Sequence, residues 1–64
     1  MENIKFTVRM LAAYMRMSIE EMARQCGIEP AHLKQVSAGR VKMTAEDLQR
    51  LTAFTGIPAE NIEA

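Results

Sequence analysis

An all-α domain of five short helices is what this sequence predicts, and three observations carry the expectation. Apolar residues recur at helical spacing, as in Val8, Leu11, Ala12 and Met15, while no stretch alternates with the two-residue period of a strand. Thr7, Ser18 and Thr44 stand just ahead of three such stretches, where a side-chain oxygen can accept one of the free backbone N–H groups of a new helix. Glycine follows the stretches 18–26, 30–37 and 44–55, at Gly27, Gly39 and Gly56, where a helix ends most easily in the left-handed conformation. The helices expected from these signals form a compact bundle over about residues 7–16, 18–26, 30–37, 44–55 and 58–62, within a single domain spanning 1–64.

Met1 to Phe6 carries no cap and no clear period and reads as a lead-in. Thr7 opens the first helix, with Phe6 and Leu11 spaced to close over the cap as a hydrophobic staple. Met10 and Tyr14 fall on a different face from the Val8–Met15 stripe and leave apolar surface outside it. Ser18 and Glu21 have the S-x-x-E spacing of a reciprocal capping box, and Met17 and Met22 occupy its staple positions. Glu20 and Glu21 suit the positive end of that helix. Met22, Ala23 and Cys26 form its apolar stripe, and Gly27 stops it.

Pro30 lacks an N–H and has a preset φ, which fits the first position of a helix and no interior one, so the next helix begins there. Leu33 and Val36 are its buried positions, His32, Lys34 and Gln35 its outward ones, and Gly39 its stop. The loop 38–43 carries Arg40 and Lys42. Thr44 and Asp47 make a second capping box with Met43 and Leu48 as staple. Leu48, Leu51, Ala53 and Phe54 are expected in the core, Gly56 ends the helix, Ile57 points inward, and Pro58 starts a last short helix to Ile62 with Glu60 near its positive end.

A chain of 64 residues supports one core and buries only about 60% of its unfolded surface, so its stability is small. Hydrophobic residues make up 48%, with six Met and no Trp, which suits a helical core filled by flexible side chains and argues against disorder. Cys26 is the sole cysteine, which excludes an internal disulfide and a cysteine-based metal cage. No signal-like or 18-residue apolar run occurs, so the expected location is the cytoplasm. His32 and Cys26 have no third group to form a catalytic set with them, and the paired acids Glu20–Glu21 and Glu46–Asp47 lie in first helical turns that explain them. The expectation is a non-enzyme without cofactor or metal.

Eight basic and eight acidic residues cancel, yet not evenly. Residues 30–45 carry Lys34, Arg40 and Lys42 with no acid, a charge of +3, whereas 46–64 carry Arg50 against Glu46, Asp47, Glu60 and Glu63, a charge of −3. A local basic patch centred on the third helix is what contact with nucleic-acid phosphates needs.

Two helices joined at a glycine over residues 18–39 make a helix-turn-helix candidate. With Met22, Ala23, Gly27, Ile28, Leu33, Val36 and Gly39 in place, the chain resembles the Cro/C1-type (XRE) helix-turn-helix family over roughly residues 7 to 62. The resemblance implies a lambda-repressor-like bundle and a sequence-specific transcriptional regulator of double-stranded DNA, repressor-like, as in small phage or mobile-element regulators. It implies that helix 30–37 enters the major groove, with Lys34 and Gln35 on base edges, His32 at the groove wall, and Arg40 and Lys42 on phosphates. It also implies a homodimer through the segment from Phe54 to Ile62, and no small-molecule ligand. The chain departs from the family at Ile19, where glutamine is usual, at Glu29, where serine or threonine is usual, and at Pro30 and Ala31, where polar residues are usual. Ala12 and Ser37 replace a common arginine–glutamate pair together, which leaves no single charge unpaired. With the neutral net charge and the apolar residues Met10, Tyr14 and Ile19, these departures keep open the alternative of a protein–protein interaction module with little or no DNA binding.

Overall fold

Thr7, Ser18 and Thr44 cap helices as their positions require. In the computed structural model, which describes residues 4–63, their hydroxyls accept from Met10 N at 3.1 Å, Glu21 N at 3.0 Å and Asp47 N at 3.0 Å. They open α1 (Val8–Tyr14), α2 (Ile19–Cys26) and α4 (Ala45–Thr55). Between α2 and α4 lies α3 (Pro30–Ser37), with Pro30 in its first turn and Glu29 as its cap, accepting from His32 N at 3.1 Å. The Thr44 box closes in both directions, because Asp47 Oδ2 accepts from Thr44 N at 3.1 Å. At Ser18 only the forward half forms, for the Glu21 carboxylate accepts from Gln25 Nε2 at 2.9 Å.

The expected fifth helix over 58–62 is a single 3₁₀ turn, Ala59–Asn61, so the described chain has four α-helices and not five. Its end is diverted into pairing: Ile62 is extended at φ −109° and ψ 128° and forms a parallel bridge with Phe6. Phe6 N donates to Asn61 O at 2.7 Å, Glu63 N to Phe6 O at 2.8 Å, and Asn61 Nδ2 to Ile4 O at 2.9 Å. The lead-in is thus tied to the far end of the chain from Ile4 onward, while its first three residues lie outside the described ones. The first helix stops at Tyr14 and does not reach Arg16, because Arg16 takes a left-handed φ of 59° and turns the chain into α2.

Each α-helix supplies one large fully buried side chain to the centre: Leu11, Met22, Leu33 and Leu51, joined by Ile57 from beyond α4. Burying a side chain of that size contributes about 1.5–3 kcal/mol, so this cluster is the main source of stability. α2 packs most extensively on α3 and also touches α1 and α4. Phe6, Met15, Ile19, Val36, Leu48 and Phe54 lie partly buried around the cluster. Ala53, expected in the core, is exposed, since its position on α4 faces away from Leu51. No helix among the described residues is long and apolar enough to cross a membrane.

Candidate nucleic-acid interface

α2 and α3 are joined by the three residues Gly27, Ile28 and Glu29, of which Ile28 is buried and fixes the angle between the helices. On α3, Leu33 faces the core, and Ala31, Lys34, Gln35 and Ala38 are exposed. These four sit at i, i+3, i+4 and i+7, so they line up as one outward stripe along α3 and its cap residue. Lys34 Nζ lies 3.7 Å from Glu20 Oε1 of α2, and the Gln35 side chain has no hydrogen-bond partner among the described residues.

His32 stands apart from that stripe. Its Nε2 lies 2.6 Å from Asp47 Oδ2, with the His32 side chain 32% and the Asp47 side chain 9% exposed. The imidazole therefore ties α3 to the first turn of α4, and the outward placement expected for it does not hold. Burial works to raise the Asp47 pKa, but the hydrogen bonds from His32 and Thr44 and the His32 charge outweigh it and hold the carboxyl below its usual range.

Arg40 and Lys42 are exposed in the turn after α3, and neither forms an ion pair among the described residues. Gly39 at φ 80° and the hydrogen bond from Arg40 N to Gln35 O at 3.0 Å direct that turn away from the helix axis. Lys42 borders a groove of about 300 Å³ whose apolar lining includes Val8, Val36, Val41 and Met43. Lys34, Arg40 and Lys42 thus follow one another along one stretch of chain, the first shared with an acid and the other two unshared.

Several contacts were not assigned from the sequence. Glu20 Oε2 also accepts from Arg24 Nη2 at 2.6 Å, so this one carboxylate serves a base on each of the two helices. The i,i+4 spacing of Glu20 and Arg24 was a legible signal. Arg50 was not legible as a capping group: Nη1 donates to Cys26 O at 3.3 Å, at the end of α2, while Nη2 lies 3.0 Å from Glu46 Oε2. Burial pushes the Cys26 thiol up, with the Arg50 charge offsetting part of the shift, so the thiol stays protonated in the core. The His32 ring is engaged by Asp47, and no hydrogen bond joins it to Cys26 among the described residues. No group of three potential metal ligands comes together among the described residues. No family model, curated protein or solved structure matches the chain.

Proposed function

We propose that the chain is a sequence-specific regulator that binds double-stranded DNA through α3, in the manner of the Cro/C1-type helix-turn-helix family and its lambda-repressor-like bundle, and that it acts as a repressor. The observation that carries this reading is the exposed α3 stripe Ala31–Lys34–Gln35–Ala38, with unpaired Arg40 and Lys42 just beyond it. A major groove about 12 Å wide admits a helix, and the two alanines let this one sit close to the bases. Lys34 can donate to guanine and Gln35 can pair with adenine, each worth about 1–3 kcal/mol of discrimination. The exposed Lys34–Glu20 pair, at 3.7 Å, contributes at most about 1 kcal/mol, so exchanging Glu20 for a base edge opposes binding only weakly. Arg40 and Lys42 neutralise phosphates and set orientation.

Pairing of two copies belongs to the same reading, because half-sites about 34 Å apart ask for a two-fold dimer. Ile57 and Ile62 are 1% and 3% exposed and belong to the monomer's own core, so a dimer through the C-terminal segment would use Pro58, Ala59 and Glu60 instead.

Fluorescence anisotropy with the DNA flanking the protein's own gene, against a scrambled duplex at several salt concentrations, tests the reading. Tighter binding to the native duplex is expected, falling with salt by about 0.9 in log–log slope per phosphate contact. Replacing Lys34 and Gln35 by alanine should then reduce the preference by about 10-fold or more, whereas replacing Arg40 and Lys42 should weaken both duplexes alike and lower the slope by about 2. Equal, feeble binding to both duplexes by the unaltered protein would overturn it and leave the protein-interaction module.

A further inference from the structure

α1 leaves half of its circumference uncovered. Val8, Leu11, Ala12 and, just past the helix, Met15 turn toward the core, while Arg9, Met10, Ala13 and Tyr14 on the other half, with Arg16 just beyond the helix end, are exposed. One edge of this outer face is apolar: Phe6, Met10 and Tyr14 recur every four residues, Met10 and Tyr14 are 44% and 57% exposed, and the Tyr14 ring meets Phe6 edge-on at 6.1 Å. The other edge is Arg9, Ala13 and Arg16, and neither arginine has an ion-pair partner among the described residues, whereas Arg24, Lys34 and Arg50 all do. Arg16 is held at φ 59°, a conformation that glycine occupies at the ends of α2 and α3. An arginine is kept there at a conformational cost while its side chain forms no hydrogen bond or ion pair among the described residues.

We propose that this outer face of α1 docks the apolar side of an acidic amphipathic helix from another protein. Met10 supplies an adaptable thioether surface and Tyr14 a rigid aromatic one with a polar tip. Arg9 lies on α1 and Arg16 just beyond its end, so the two guanidinium groups offer positive charge near both ends of the face to carboxylates along the flank of a partner helix. Ala13 between them allows the two backbones to approach closely. A second copy suits the face poorly, because the carboxylates on its α-helices, Glu20, Glu21, Glu46 and Asp47, are already engaged within their own chain, Glu29 caps α3, and Glu60 and Glu63 lie in and after a single 3₁₀ turn that presents no amphipathic helix. The inference does not depend on the DNA reading, whose residues lie on and after α3.

The test uses the full chain and a fluorescein-labelled 18-residue helical peptide with leucine at i, i+3, i+4 and i+7 and glutamate along both flanks. Its counterpart has every glutamate replaced by lysine. Anisotropy should show the acidic peptide binding at least about tenfold more tightly than the basic one, with affinity falling as salt rises. The double substitution Met10→Gln with Tyr14→Gln should weaken binding about tenfold or more, and Arg16→Gly about threefold while the melting temperature does not fall. Equal affinity for the two peptides, or binding that Arg9→Gln with Arg16→Gly leaves unchanged, would overturn the proposal. So would concentration-dependent self-association in sedimentation that the Met10 and Tyr14 substitutions abolish, since the face would then belong to a second copy.

Discussion

Along the seam where α4 meets the end of α2 and the start of α3, polar groups are tied to one another. His32 meets Asp47, Asp47 and Thr44 cap α4 together, and Arg50 holds both Glu46 and the Cys26 carbonyl at the end of α2. On the outer face of α1 the same kinds of residue stand differently, with Arg9 and Arg16 unpaired and Met10 and Tyr14 exposed. The difference teaches where each surface spends its chemistry. Interactions at the seam are satisfied within the monomer and can only stabilise it, whereas those of α1 are left for something outside.

Asp47→Ala should break the seam hardest. It removes the reciprocal cap of α4, worth about 0.5–2 kcal/mol, and deprives His32 of its partner, so a loss of about 3 kcal/mol in urea unfolding is expected. Arg9→Ala, on the unpartnered face, should stay within about 0.5 kcal/mol. The seam also carries a pH dependence of defined sign. The Asp47 pKa is depressed by folding, so its stabilisation is present above the unfolded carboxylate value of about 3.9 and is lost as pH falls through the lower folded value. Unfolding free energy measured from neutral pH down into the acid range should therefore fall, and Asp47→Asn should flatten that fall. An unchanged slope in the variant would remove Asp47 from the account.

A smaller effect separates two glycines that are alike in backbone. Gly27 and Gly39 both take left-handed φ, 77° and 80°, and alanine in either place should cost about 1 kcal/mol through that conformation alone. At Gly27 a Cβ would also lie 2.8 Å from Arg50 Nη1, whereas at Gly39 it meets nothing within 4 Å. The guanidinium must swing aside and give up the Cys26 carbonyl, adding up to about 1 kcal/mol. Thermal unfolding should thus show Gly27→Ala as the more damaging, and the gap should close in an Arg50→Ala background. A gap that persists without Arg50 would put the difference elsewhere in the turn.

These residues also show which parts of the fold were legible in the sequence. The caps at Thr7, Ser18 and Thr44 and the stops at Gly27, Gly39 and Gly56 act within four residues of the groups they satisfy, so spacing alone revealed them. The His32–Asp47 contact joins residues 15 apart, and the Phe6–Ile62 bridge joins the two ends of the chain. Such contacts depend on how helices are placed, which local pattern does not encode, and so His32 was expected outward and residues 58–62 helical. Within the candidate interface, Lys34 and Gln35 were correctly placed on the outer side of α3 by periodicity. The share of Lys34 taken by Glu20 required the crossing of α2 and α3 to be known.

The smallest effect is the one that bears most directly on α1. α1 ends as α3 does: Arg16 N donates to Ala13 O and Met17 N to Ala12 O, both at 3.0 Å, matching Gly39 N to Val36 O and Arg40 N to Gln35 O at 3.1 and 3.0 Å. Two ends with the same hydrogen bonds thus differ in the residue at the left-handed position, glycine in one and arginine in the other. Arg16→Gly relieves the conformational cost of the non-glycine residue and partly offsets that gain by making the unfolded chain more flexible. The net expectation is a stabilisation of up to about 1 kcal/mol, seen as a melting temperature a few degrees higher. Such a gain means the native arginine is maintained at the expense of stability, as side chains kept for binding are. A lower melting temperature would mean that the Arg16 side chain supports the monomer, and the contrast between the satisfied seam and the unsatisfied face of α1 would lose its sharpest instance.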